Sequence, residues 1–387
     1  MRPAMGFFVI LLIVLLVVIG FVQLMLPSLF PDRRRARPFC LGLLFFDLLA
    51  AGGLFFGRAL ALPEGAVRAA MEFISMAFMF QLLLAGFILL ARLVRWGYRR
   101  LKAVPLDPSR RRMLTHAAAY PLAAAAAAVY GGVDERVHQV VREHPVPIAG
   151  QATGLDGFRI AQLSDVHLGL FFSLPMLREL LEQAAGLGAD ALVITGDLFD
   201  DDALNVGAAQ LVNSYVGRFS RGIWFCYGNH EYFRNIARTN AALAATQIHV
   251  LADANALVQA GGRPLYFAGV DYPRSRKDFD ALAEQGTAQA LQGIPTNAVT
   301  VLLAHHPDFI DLGAAKGAAL VLTGHTHGGQ LGLFGVPLVP PVFKYMRGLY
   351  RVGATLGYVH SGNGSWFPYR LGCPPEIACF TLREERA

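Results

Sequence analysis

The most constraining feature of this 387-residue sequence is a series of five short apolar segments, each followed at once by Asp, Asn or His. Segments of this length, bounded by Gly and polar residues, are typical of buried strands. They are Phe158–Leu163, Ala191–Thr195, Ile223–Tyr227, Val299–Ala304 and Ala319–Thr323. Helical patterns at Leu174–Ala185 and Ala208–Phe219 and further strands at Leu265–Val270, Leu356–Ser361 and Ile377–Leu382 complete the pattern. The sequence therefore predicts a layered α/β domain over residues 155–387.

The residues after the five strands are of the types that bind metals. They are Ser164-Asp165-Val166-His167, Gly196-Asp197, Gly228-Asn229-His230-Glu231, His305-His306-Pro307-Asp308 and Gly324-His325-Thr326-His327. Sites in open α/β sheets form at the carboxyl ends of strands, so we expect these residues to meet. A lone histidine after a strand is usually a solvated or capping residue, but five such strand ends indicate a metal centre. Asp and His ligands without Cys suit Mn, Fe or Zn and argue against a structural zinc site. A carboxylate such as Asp197 can bridge two cations.

The order Asp-x-His, Gly-Asp, Gly-Asn-His-Glu, His-x-Pro, Gly-His-x-His resembles the calcineurin-like metallophosphoesterase family over roughly residues 155–382. Gly328-Gly329-Gln330 and the ending from Arg370 to Ile377 resemble its membrane-anchored bacterial branch. Some relatives in that branch hydrolyse the pyrophosphate of UDP-diacylglucosamine. The resemblance implies two mixed sheets flanked by helices, and hydrolysis of a phosphoester by a water that two divalent metal ions activate.

The resemblance also assigns a role to each motif residue. The implied ligands are Asp165, His167 and His327 for the first metal, Asn229, His305 and His325 for the second, and Asp197 as the bridge. His230 is implied to donate a proton to the leaving group or to hold phosphate oxygens, and Glu231 to support the ligands. His305 is favoured over His306 because it stands two residues before Pro307.

The first part of the chain reads as a membrane domain, residues 1–133, joined to the α/β domain by a linker at 134–154. The whole chain is 54% hydrophobic and only 16% charged. Uncharged or nearly uncharged stretches predict four transmembrane helices, at residues 6–26, 39–56, 71–90 and 113–133. Asp47 lies inside the second stretch, where it either packs against a neighbouring helix or marks a functional site. Cys373 and Cys379 could form a disulfide if their compartment is oxidising.

The distribution of charge along the chain indicates that the chain associates with a membrane and does not bind nucleic acid. Residues 1–130 carry 15 Lys and Arg against 5 Asp and Glu, a balance of +10, whereas residues 131–387 carry 19 against 23, a balance of −4. The basic residues therefore accompany the predicted helices, and the α/β domain has no basic stripe for phosphate backbones. The two arginine-rich loops, near Arg33 and between Arg92 and Arg112, alternate with poorer ones, so both are predicted to be cytoplasmic.

With four transmembrane helices, the α/β domain is predicted on the extracytoplasmic side of a bacterial inner membrane. A twin-arginine export signal is resembled by the segment Ser109-Arg110-Arg111-Arg112-Met113-Leu114. The alternative is that these arginines are the positive charges that flank a transmembrane helix on its cytoplasmic side. The expected substrate is a lipid-linked phosphoester or pyrophosphate. A domain facing the cytoplasm would instead favour UDP-2,3-diacylglucosamine, in lipid A biosynthesis. A metal-dependent binding or sensor protein without turnover is the second alternative, and the sequence leaves the oligomeric state open.

Overall fold

The computed structural model describes residues 16–29, 33–56, 63–101, 119–148, 154–259, 262–333, 336–338, 342–365 and 367–384. These residues fall into two compact units, Met1–Asp134 and Glu135–Ala387. The predicted twin-arginine segment, residues 109–114, lies outside the described residues, as do parts of the first and fourth predicted transmembrane segments.

The first unit is helical. Its helices are α1 (Leu16–Met25), α2 (Arg33–Phe56), α3 (Glu64–Leu101) and α4 (Ala119–Val129), with a π-helical turn at Tyr130–Glu135 after them. Among the described residues, one helical stretch, Glu64–Val94, is long and apolar enough to cross a bilayer, and Leu16–Met25 is a shorter apolar helix. One candidate span is thus supported, and the number four stays a prediction.

Asp47 packs against a neighbouring helix of the first unit. It is 7% exposed, and its carboxylate accepts a hydrogen bond of 2.7 Å from the Gln81 side chain of α3, which is itself buried. A hydrogen-bonding partner of this kind lowers the free-energy cost of burying a carboxyl group among apolar helices.

The second unit contains two six-stranded sheets. Its strands are β1 (Val140–Ile148), β2 (Arg159–Leu163), β3 (Ala191–Thr195), β4 (Ile223–Cys226), β5 (His249–Val250), β6 (Ala254–Gln259), β7 (Leu265–Gly269), β8 (Val299–Leu303), β9 (Leu320–Thr323), β10 (Gly332–Leu333), β11 (Val336–Pro337), β12 (Gly348–Val352), β13 (Thr355–Val359) and β14 (Glu376–Glu384). Its helices are α5 (Leu174–Gly186), α6 (Asn205–Asn213), α7 (Asn229–Phe233), α8 (Ile236–Ala244), α9 (Phe279–Ala290) and α10 (Phe309–Ala315).

Both sheets are mixed, as predicted. The first has the order β1-β14-β2-β3-β4-β5, and β2 to β5 run parallel. The second has the order β12-β13-β9-β8-β7-β6, with β13, β9, β8 and β7 parallel. Buried residues of both sheets, such as Val193, Phe267 and Phe380, form a common core between them. Helices α5, α6 and α8 pack on the outer face of the first sheet, and α9 and α10 on that of the second. This is the two-sheet sandwich flanked by helices that the resemblance implies.

The predicted linker at 134–154 differs from the structure, because it contains strand β1. The sequence of β1, VVREHPVPI, has two prolines, and prolines are not expected in a strand that has neighbours on both sides. β1 lies at the edge of the first sheet and pairs in parallel with β14, from Val140 opposite Glu376 to Ile148 opposite Glu384. An edge strand tolerates Pro145 and Pro147 because one side needs no ladder hydrogen bonds.

Candidate metal centre

The predicted ligands all follow parallel strands, at one end of the sandwich. Asp165 and His167 follow β2, Asp197 follows β3 and Asn229 follows β4 in the first sheet, while His305 follows β8 and His325 and His327 follow β9 in the second. Three groups of side chains each have their ligand atoms within 4.8 Å of one another. The groups are Asp165, His167 and His327; Asp197, His305 and His325; and His167, Asp197 and His230. The structure therefore brings together the residues that the sequence singled out.

The first group converges on Nε2 of two histidines. The Nε2 atoms of His167 and His327 are 2.9 Å apart, and Nε2 of His327 lies 3.5 Å from the Asp165 carboxylate. Two imidazole lone pairs at this distance repel unless a proton or a cation lies between them. Burial lowers the pKa of His327, so its ring is neutral and offers a lone pair.

The second group is arranged around Nε2 of His305. Its Nδ1 donates to the Thr195 carbonyl at 2.8 Å, which fixes the ring and leaves Nε2 facing inward. Nε2 then lies 3.1 Å from Oδ1 of Asn229, 3.2 Å from Oδ2 of Asp197 and 3.2 Å from Nδ1 of His325. Burial lowers the pKa of His305, but the carboxylates of Asp197 and Asp165 outweigh it and raise the pKa to about 10. A lone pair surrounded by acceptors in this way requires a proton or a cation, so the donor set fits a divalent metal.

Asp197 lies between the two groups. Its Oδ2 is 3.2 Å from Nε2 of His305 and 3.7 Å from Nε2 of His167. Its Oδ1 accepts from the backbone N–H of His230 at 2.8 Å. Although burial raises the pKa of Asp197, the nearby histidines lower it well below its usual value, so the carboxylate is ionised. One carboxylate oxygen thus faces both candidate metal positions, as a bridging ligand requires.

The backbone at these positions is strained in a way typical of functional sites. Seven non-glycine residues in the described ranges have positive φ, and five of them are predicted ligands. The five are Asp165, His167, Asp197, His325 and His327, with φ between 50° and 74°. This left-handed region costs an ordinary residue about 1–3 kcal/mol and persists only where the surroundings impose it.

Two glycines allow the loops to approach the acidic ligands. A Cβ atom on Gly228 would collide with the Asp197 carboxylate, and one on Gly324 with that of Asp165. Glycine is therefore required at both positions for this close approach of the backbone.

Glu231 holds the loops in place through hydrogen bonds to the backbone. It is fully buried, and its carboxylate accepts from the N–H groups of Asp197, Phe199 and Gly228 at 2.7–3.0 Å. These bonds tie the strand end that carries the predicted bridge to the loop that carries Asn229. The contacts agree with the supporting role that the resemblance implies.

Asp200 was missed by the sequence reasoning, which stopped at the residue after Gly196. Its carboxylate accepts from Nδ1 of His230 at 2.9 Å and from the guanidinium of Arg234 at 2.7 Å. Burial raises the pKa of Asp200, but the hydrogen bonds and charges of His167 and His230 outweigh it and lower the pKa below the usual value. Its only sequence signal is its position three residues after Asp197. The contact fixes the His230 ring with Nδ1 as the donor.

Aromatic side chains surround the second group, and these also were not predicted. The ring of Tyr272 lies 5.9 Å from His305 and 6.1 Å from His325, and that of Phe343 lies 5.2 Å from His325. His306 packs among these rings, and burial together with the charge of His305 lowers its pKa to about 3. His306 belongs to none of the three candidate metal groups, whereas His305 does.

The basic and aromatic segment from Lys344 to Arg351 is largely engaged within the fold. Lys344 pairs with Asp311 at 2.6 Å, and Tyr345 is buried with its hydroxyl donating to the same carboxylate. Arg347 donates to the Gly372 carbonyl. Cys373 and Cys379 are both buried and free, so no disulfide joins them.

Comparison with known proteins agrees with this arrangement. Residues 158–329 match the family model described as calcineurin-like phosphoesterase. Over these residues the chain is similar to calcineurin-like metallophosphoesterases.

Three curated proteins illustrate the similarity, and the chain spans about 60% of the length of the first two. The chain is 32% identical over 227 residues to an uncharacterized metallophosphoesterase of Helicobacter pylori J99, and 31% identical over 274 residues to a transmembrane protein with metallophosphoesterase domain of Danio rerio. These matches cover 58% and 66% of this chain, and 59% and 60% of the two relatives. It is also 28% identical over 234 residues to the phosphodiesterase YaeI of Escherichia coli K12, with 58% of this chain and 82% of that protein covered.

Proposed function

We propose that this protein is a membrane-anchored hydrolase of phosphoesters or pyrophosphates that uses two divalent metal ions and acts on a lipid-linked substrate. The observation that carries the proposal is the placement of Asp197 between two groups of convergent metal-binding atoms. The names of the relatives in Helicobacter pylori and Escherichia coli support the phosphoesterase activity.

Each side chain then has a defined task. Asp165, His167 and His327 would hold one ion, Asn229, His305 and His325 would hold the other, and Asp197 would be their shared ligand. When bound, the two ions acidify water for attack on phosphorus and neutralise charge on the phosphoryl oxygens. The N–H that His305 donates to Thr195, and the backbone bonds of Glu231, keep the ligands in position before substrate arrives.

His230 supplies the proton for the leaving group in this proposal. Burial lowers its pKa, but the carboxylates of Asp197 and Asp200 raise it above the ordinary value, so the ring keeps its proton to a higher pH than a free imidazole does. With Nδ1 bonded to Asp200, Nε2 is the atom left to donate. Its side chain is 21% exposed, so an incoming group can reach it. The adjacent Phe233, 70% exposed and 5.2 Å from the His230 ring, offers an apolar surface beside the leaving group.

Metal-dependent turnover tests the activity. The full chain in detergent, stripped with a chelator and then given Mn²⁺, Fe²⁺ or Zn²⁺, is expected to hydrolyse an aryl phosphodiester or monoester only after the metal is restored. The rate and the released phenol are the measurements. Metal binding without turnover of either ester would overturn the proposal in favour of a binding or sensor protein.

The side of the membrane decides the substrate class. We expect the α/β domain on the extracytoplasmic side, where lipid headgroups and carrier phosphates are present. A reporter enzyme that works only outside the cytoplasm, fused after residue 387, is then expected to be active, and a cytoplasmic reporter at the same point silent. The reverse result would favour UDP-2,3-diacylglucosamine as the substrate. Changing Arg110 and Arg111 to Lys keeps the charge, so altered placement would assign them to export and unchanged placement to anchoring.

A further inference from the structure

A short hairpin follows the last of the metal-binding motifs. It begins at Gly332, shortly after His327, and the Gly332 N–H donates to the Leu371 carbonyl at 2.7 Å and anchors its base. Strands β10 and β11 pair antiparallel, with Leu333 opposite Val336. The chain then returns to the site at Phe343, whose ring lies 5.2 Å from that of His325. The segment therefore begins five residues after His327 and ends against the His325 ring.

The described side chains of this segment are apolar, and four of them are exposed. Leu333, Val336, Leu338 and Val342 are 55%, 64%, 60% and 73% exposed, and we call these four the apolar hairpin surface. The described part of residues 135–387 has eleven exposed large hydrophobic residues, and four of them lie within these ten positions. Such a concentration of apolar side chains on a surface indicates a site that contacts another apolar phase.

The chemistry of the segment favours a lipid bilayer as that phase. Residues 331–343, LGLFGVPLVPPVF, contain no ionisable side chain. Arg347 and Arg351 follow, and neither has a carboxylate partner within the part of the chain that the structure describes, whereas Lys344 is paired with Asp311. Apolar side chains with arginines behind them match an acyl boundary covered by anionic headgroups. The chain also carries its own helix long and apolar enough to span a bilayer, Glu64–Val94, which would hold the domain near that surface.

We propose that the apolar hairpin surface inserts into the acyl–headgroup boundary of the membrane that anchors the chain. The candidate metal centre, whose His325 ring contacts Phe343 at the end of the same segment, then opens at the lipid surface. A lipid-linked phosphoester reaches the metal ligands without its acyl chains leaving the bilayer. This inference rests on the proposed function for its substrate, but the membrane contact itself is measurable without turnover.

Quenching by brominated lipids tests the contact in the full chain, reconstituted in nanodiscs of phosphatidylcholine and phosphatidylglycerol. In Val336→Trp, the fluorescence of the added tryptophan is expected to fall at least about twofold when acyl-brominated lipid replaces ordinary lipid. The unmodified chain, with three tryptophans, gives the background. The matched control is Val206→Trp on α6, an equally exposed valine at 58%, which is expected to add no quenching. Equal quenching of the two added tryptophans would overturn the proposal. So would a blue-shifted emission from the Val336→Trp variant that is insensitive to bromine, because it would mean that protein covers the surface.

Hydrolysis of a soluble aryl phosphodiester separates this inference from the proposed function. The double variant Val336→Asp/Leu338→Asp is expected to retain that activity within about twofold, because neither residue is placed in the catalytic machinery. Combining it with a tryptophan at Val342 is expected to remove the quenching seen with Val342→Trp alone. An active protein whose hairpin tryptophan is not quenched contradicts the membrane contact alone. A quenched but inactive protein contradicts the proposed function alone.

Discussion

Replacing Asp197 by Asn is expected to reduce the bound metal from two ions per chain to one or none, and to remove hydrolysis of aryl phosphoesters. Oδ2 of Asp197 faces Nε2 of both His167 and His305, so an amide nitrogen at that position would remove the shared ligand. The substitution preserves volume, and the amide oxygen can still accept the N–H of His230. The loss therefore reports on coordination and charge, since the packing is retained. Elemental analysis of the purified chain and initial rates are the measurements.

Asp156→Asn is the matched control for this prediction. Asp156 also lies in the second unit, but its side chain is 55% exposed and its ion pair with Arg383, at 3.8 Å, is a surface contact. This variant is expected to keep two metals and full activity. If Asp197→Asn also kept both ions and its activity, the bridging assignment would be wrong.

The clustering of the candidate metal ligands could be predicted because each stands at the end of a strand that is itself visible in the sequence. The predicted strand at Ala191–Thr195 has the observed bounds, and Asp197 follows it by two residues. Parallel strands bring their carboxyl ends to one edge, so proximity within each sheet followed from strand type, whereas the meeting of the two sheets depends on the packing of the sandwich. The roles of the individual ligands still rest on the family resemblance.

Other features depend on tertiary contacts that no local pattern reveals. The Asp200 carboxylate accepts from Nδ1 of His230, which lies 30 positions later in the sequence, and the local pattern around Asp200 does not predict this contact. Strand β1 was hidden by its prolines, which only an edge position tolerates. The apolar run at 331–343 gave no sign that Leu333, Val336, Leu338 and Val342 are exposed, because hydrophobicity alone does not distinguish a core from a surface that meets another apolar phase.

Replacing His230 by Ala is expected to leave two metals bound and to lower turnover by roughly 10²–10⁴, as for the loss of a general acid. The structure offers a clear rival, because His230 also forms a possible metal group with His167 and Asp197. The hydrogen bond of its Nδ1 to Asp200 favours a proton-bearing ring over a ligand. Elemental analysis separates the two roles, since a ligand would take metal away in parallel with activity.

The pH dependence sharpens this assignment. Because the pKa of His230 is raised by Asp197 and Asp200 against the effect of burial, its proton is held to a higher pH than in a free imidazole and is lost as the pH rises above the raised pKa. The native rate is therefore expected to fall on the alkaline side, and this fall is expected to be absent in His230→Ala. His249→Ala is the matched control, since His249 is exposed and stacks on Trp224 away from the predicted ligands, and it should keep the native profile. An alkaline fall that persists unchanged in His230→Ala would assign the proton to another group.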